Sequence, residues 1–193
     1  MSLIRVSRGI PKFNIQIGPQ QDALKYNPTA ILSVTDDFEW SLMQHPMFKW
    51  QPINEISKSW GYLPFYATKK ILDFWCIDMG YPLVYLCCSA GKHRSPMVAF
   101  CWLLSQPGAT PESVAGEFFG EFEFFGEFPT EDGSNGGVLH TYQRDIAKGY
   151  IPADLPEFYE VMRQDPGASY RKVTQGLLKY ERITYSENRS VIL

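Results

Sequence analysis

The sequence predicts an α/β protein: a single domain with a mostly parallel central sheet flanked by helices. Three observations carry that reading. Ala30 to Val34 and Leu83 to Cys88 are apolar runs of buried-strand type. Between them, Phe65, Ala67, Ile71, Leu72, Trp75 and Met79 fall roughly on one face of a helix over 65–78. A further, amphipathic helical segment, Met97 to Leu104, follows the second run. Strand, helix, strand, helix is the order of parallel strands joined by helical crossovers. The chain has 193 residues, enough to bury a core of its own. Residues 1–193 are therefore read as one domain, with its core over about 28–119 and a C-terminal helical part over 120–193.

Each element has a local justification. Residues 3–7 and 13–17 read as short strands, the second alternating apolar and polar as an edge or near-edge strand does. Gly18-Pro19 reads as a turn, with a helical turn over 20–25. Thr35-Asp36-Asp37 offers caps for a short helix over 38–44. Residues 48–53 alternate and end near Pro52, which suits a strand terminus. Pro64 fits the first turn of the 65–78 helix, and Gly80-Tyr81-Pro82 breaks it. Thr110-Pro111-Glu112 starts another helix with an N-cap, an N1 proline and an acid in the first turn. Gly-Glu-Phe recurs three times over 116–128, read as a helix end with phenylalanines inward and glutamates outward, with an acidic, aromatic lid or recognition segment as the alternative. Residues 130–137 read as a polar loop. Helices are expected over 138–148, where His140 reads as a surface or packing residue, over 153–163 and over 169–180.

Composition bounds the function. Hydrophobic residues make up 45% and charged residues 20%, and the net charge is −3. That balance gives no basis for nucleic-acid binding, so any affinity for anions is local. Met1 to Arg5 carry no apolar core of a secretion signal, and no apolar run approaches ~18 residues, so no membrane span is expected. The four cysteines, Cys76, Cys87, Cys88 and Cys101, lack metal-site spacing. A reducing, cytoplasmic setting suits them.

The chemistry concentrates in Cys88-Ser89-Ala90-Gly91-Lys92-His93-Arg94-Ser95. A strand, a short loop and a helix N-terminus make an anion site, because successive N–H groups point into the loop and the helix dipole adds positive potential. A cysteine at its mouth is favoured as thiolate. Arginine on the first helical turn can grip two phosphoryl oxygens with its planar fork. The Ser95 hydroxyl can donate to the sulfur and improve it as a leaving group. Lys92 and His93 lie inside the loop and add positive potential.

These eight residues resemble the phosphate-binding loop of the protein tyrosine phosphatase superfamily, C-x-x-G-x-x-R-[ST], and the spacing resembles its dual-specificity branch. A weaker resemblance covers roughly Pro28 to Phe119. The resemblance implies a phosphomonoester hydrolase working through a phosphocysteine, with no metal or cofactor. Cys88, Arg94, Ser95 and an acid carry catalysis, and Ser89, Ala90, Gly91, Lys92, His93 and Arg94 hold the phosphate. One departure is Cys87, which stands where the family usually has histidine. It reads as an inward-facing strand residue, with a redox partner for Cys88 as the alternative.

In the resembling family the acid is an aspartate about 30-odd residues before the cysteine. Glu55 lies 88 − 55 = 33 positions before Cys88 and is the first candidate; Asp36 and Asp37 are the next. Phosphoproteins are the first substrate class. Gly91-Lys92-His93-Arg94 is also similar to loops of atypical dual-specificity phosphatases acting on inositol pyrophosphates, so inositol phosphates or phosphoinositides are the alternative. A phosphate-binding pseudophosphatase is a further one. Sulfurtransferase and arsenate-reductase readings are disfavoured by the Gly-x-x-Arg-Ser pattern. Nucleotide-loop readings fail, because Gly91-Lys92 is followed by His93 rather than Ser or Thr.

Overall fold

β-Branched and other apolar residues pair into a five-stranded sheet in the computed structural model, which describes residues 8–10, 13–54, 60–118, 138–168 and 171. The strands are β1 (Arg8–Ile10), β2 (Ile15–Pro19), β3 (Ala30–Ser33), β4 (Phe48–Trp50) and β5 (Val84–Cys88), in the order β1-β2-β5-β3-β4. Only the β1–β2 pair is antiparallel; β2–β5, β5–β3 and β3–β4 are parallel. The expected α/β architecture is therefore present. The parallel strands all end at the same edge of the sheet. That edge receives Ser33, Trp50 and Cys88.

The helices are α1 (Tyr62–Leu72), α2 (Arg94–Leu104), α3 (Pro111–Phe118), α4 (Val138–Ala147) and α5 (Leu155–Gln164). A wider, π-type turn over Asp73–Asp78 extends α1. It leaves Trp75 buried, while Asp73 accepts a 2.9 Å hydrogen bond from the indole of buried Trp102. The Thr110 cap forms as expected: its hydroxyl accepts from the Ser113 N–H at 3.2 Å, and the Ser113 hydroxyl oxygen accepts from the Thr110 N–H at 3.0 Å.

Strand alternation divides the core between the two sheet faces. Ile15, Ile17, Leu32, Leu86 and Cys88 join the large cluster built with α1 to α5. Ile31, Tyr85 and Cys87 face the other way, covered by short turns over Gln20–Tyr26 and Trp40–Gln44 that contribute Ala23 and Leu42. The covering is thus unequal, helices on one face and short turns on the other. The core also reaches beyond 28–119, since Ile15, Ile17, Leu155, Phe158 and Tyr159 belong to its large cluster.

Three expectations are corrected. First, Gly18-Pro19 continues β2 instead of turning, while β2 itself takes the near-edge place expected, between β1 and β5. Its polar and small positions lie inside the fold. Gln16 is only 7% exposed, and a Cβ on Gly18 would strike the Tyr85 hydroxyl and come within 3.1 Å of its Cζ. Second, Thr35-Asp36-Asp37 caps no helix; the turn at Trp40–Gln44 starts after Glu39, without a side-chain cap. Third, the segment read as amphipathic, Met97 to Leu104, lies in a helix buried over its whole length, Arg94 to Leu104. The sheet occupies one side of α2, and α1, α3, α4 and α5 occupy the others. The strand over 3–7, the loop over 130–137 and residues 119–128 fall outside the described residues, as does all of the 169–180 helix except residue 171. Among the described residues no helix is long and apolar enough to cross a membrane.

Burial leaves a titration signature. Cys76 and Cys87 are both pushed up to about 12 from an ordinary 9.0, chiefly by desolvation. Buried Tyr142 and Tyr159 are raised for the same reason. A thiol or phenol raised in the fold adds stability that is complete below its unfolded pKa and lost as pH rises through the folded one. The thermal midpoint is therefore expected to hold up to about pH 9 and fall towards about pH 12. A midpoint unchanged across that window contradicts these assignments.

Candidate active site

The loop from Ser89 to His93 joins the end of β5 to the start of α2 at the edge where the parallel strands end. Cys88, the last residue of β5, is 3% exposed. Its sulfur accepts a hydrogen bond from the Ser95 hydroxyl at 3.2 Å. Cys87 points to the opposite sheet face, in the cluster with Ala23, Ile31, Leu42 and Tyr85. Desolvation raises it most, and the Ser33 hydroxyl pulls the other way. It is a protonated thiol at neutral pH, packed as a core residue.

Gly91 explains how the loop turns back. Its φ is +66°, in the left-handed region, and it is buried. A Cβ there would strike the Gly18 carbonyl carbon, and would lie 2.5 Å from Pro19 N and 2.7 Å from Gly18 Cα. The loop thus rests on the bare backbone of β2. Gly91→Ala is expected to destabilise by at least ~1–2 kcal/mol from backbone conformation alone, and to open the loop, weakening vanadate binding. Unchanged stability and binding, measured by denaturant unfolding and calorimetry, would rule out this packing role.

Arg94 opens α2 and is 5% exposed. One terminal nitrogen donates to Asp36 Oδ1 at 3.0 Å and to the Ile53 carbonyl at 3.1 Å. The other donates to Ser89 Oγ at 2.9 Å. Asp36 reaches it because β3 lies beside β5, so the residues just past each strand end meet. The Ile53 carbonyl comes from the segment after β4. Three chain segments therefore fix the guanidinium plane, as a buried charge requires.

The remaining predicted residues divide. Ser89, Ala90 and Lys92 are exposed on the loop, and His93 is partly covered. Glu55 lies outside the described residues, while its neighbour Asn54 is exposed. Asp37 is exposed; Asp36 is engaged with Arg94 and acts as an acceptor there. His140 is exposed, in keeping with a surface residue.

Sequence reasoning missed two things. It did not assign Asp36 to Arg94, 58 positions away, although a carboxylate just past a parallel strand end was a usable signal. It also gave no role to Asp145, which is fully buried on α4 and accepts a hydrogen bond from the His93 ring at 2.8 Å. Nothing in the 138–148 pattern separates that acid from surface charges.

No protein-family model matches the chain, and no curated protein matches it. Among solved structures it is similar to the Yvh1 phosphatase domain from Chaetomium thermophilum, at 14% identity over 72% of this chain and 93% of that one, with a TM-score of 0.49. It is similar to DUSP15 at 15% identity, over 79% and 92%, with a TM-score of 0.48. A third is the human tyrosine phosphatase-like serine/threonine/tyrosine-interacting protein, at 13% identity over 78% and 93%, with a TM-score of 0.46. At such identities the chemistry has to be argued from the chain's own residues.

Proposed function

We propose that the chain is a cysteine-dependent phosphomonoester hydrolase of the protein-tyrosine and dual-specificity type. The observation that carries this is the Ser95–Cys88 hydrogen bond at the mouth of a loop whose other end is a triply held Arg94.

The Cys88 thiolate attacks phosphorus in line with the ester oxygen. The S–P bond forms as the P–O bond breaks, and an acid protonates the departing oxygen. The loop N–H groups and Arg94 stabilise charge on the three equatorial oxygens. Water then attacks the phosphocysteine and gives its proton to the same group now acting as base. Sulfur leaves as thiolate, stabilised by the Ser95 hydroxyl. Glu55 is our candidate for the acid. Asp36 suits the task less, because its carboxylate is committed to Arg94.

Phosphoproteins are the proposed substrates, with inositol phosphates or phosphoinositides second because of Lys92, exposed on the loop. The test is phosphate release from p-nitrophenyl phosphate, phosphotyrosine and phosphothreonine peptides, a phosphoinositide and an inositol polyphosphate. Turnover fastest on a phosphopeptide supports the reading, and a preference for an inositol or lipid phosphate replaces it with the second. Vanadate binding without turnover on any substrate would make the chain a phosphate reader.

A further inference from the structure

We propose that Asp145 is a positioning residue for the phosphate loop, acting through His93. This rests on the reading of that loop as an oxyanion site.

Asp145 is a carboxylate on α4 with no solvent exposure. Burying such a charge is costly unless hydrogen bonds satisfy it, and here they come from two directions. Oδ1 accepts from Arg144 Nε at 3.0 Å and from its terminal nitrogen at 2.8 Å. Oδ2 faces His93 Nε2 at 2.8 Å. That contact with a carboxylate oxygen places a proton on Nε2, so the ring donates to Asp145. The Arg144 terminal nitrogen at 3.3 Å from Nε2 is then a neighbour, since both groups are donors.

His93 is the residue just before Arg94, with φ −127° and ψ −70° outside the helical region. Its backbone sets where the loop ends and α2 begins. Holding its ring 52 residues away, on α4, fixes that junction from outside the loop. A second contact sits on the ring: Trp60 packs against it, with centroids 5.1 Å apart. The Trp60 N–H donates to the Tyr150 carbonyl at 2.9 Å, and the Tyr150 N–H donates to the Asp145 carbonyl at 2.8 Å. Asp145 therefore braces the loop through its side chain and the residue after 55–59 through its main chain. No residue of the proposed chemical step lies on α4, so this role is one of support.

Calorimetric titration of vanadate into the intact protein tests it. His93→Leu removes the donor and leaves Asp145 buried beside Arg144; it is expected to weaken binding about tenfold. His93→Gln offers an amide N–H towards the same carboxylate and is expected to lose less than about threefold. Asp145→Asn is expected to weaken binding about tenfold, and the Asp145→Asn, His93→Leu double variant no further than either single one. Should Asp145→Asn fail to fold, the two His93 variants decide, because His93 is partly exposed and Asp145 stays in place. His93→Leu binding as wild type, glutamine no better than leucine, or fully additive losses would each overturn the proposal while leaving the oxyanion site standing. A wild-type chain that binds no vanadate would overturn both.

Discussion

Replacing Cys88 with serine is expected to abolish turnover, by about 10⁴-fold or more, while vanadate or phosphate still binds. The serine hydroxyl is not ionised near neutral pH and is far less nucleophilic than a thiolate. The oxyanion contacts come instead from the loop N–H groups and Arg94, which the substitution leaves in place. Phosphate release by the variant at more than a trace of the wild-type rate would remove Cys88 as nucleophile. Loss of vanadate binding together with turnover would instead point to a collapsed loop, because the serine would then have lost the Ser95 contact now 3.2 Å from the sulfur.

Arg94→Ala is expected to lower kcat/KM by about 10³-fold and to weaken vanadate binding in parallel. Two losses combine. The transition state loses its planar clamp, and Asp36, the Ile53 carbonyl and Ser89 lose the donor they converge on. Arg94→Lys should recover little, since a single ammonium cannot reproduce a fork held on three partners. Unchanged kinetics in either variant would exclude the clamp role, and a lysine variant near wild-type activity would show that charge alone suffices.

The loop was legible because its distinctive residues lie within eight consecutive positions, and because its demands are local: a cysteine at a strand end, a glycine at positive φ, an arginine on the first helical turn. The strands β3 and β5 were legible as uninterrupted apolar runs. What escaped was set by distant partners. Gly18-Pro19 looked like a turn until Tyr85 and Gly91 occupied the space a side chain would need. Asp36 looked like a cap until Arg94 arrived from 58 positions away. Asp145 looked like one more charge on a helix until burial made its partners obligatory. Each depends on which residues the sheet order and helix packing bring together, and single-sequence patterns do not contain that information.

The complete burial of α2 has a consequence for how the protein moves. A helix with no solvent-facing side should open only when much of the fold opens, so its amide protons belong among the slowest to exchange with deuterium. The proposed anion site is built on the first turn of that helix. In the proposed reaction, substrate and product would therefore come and go past a fixed floor.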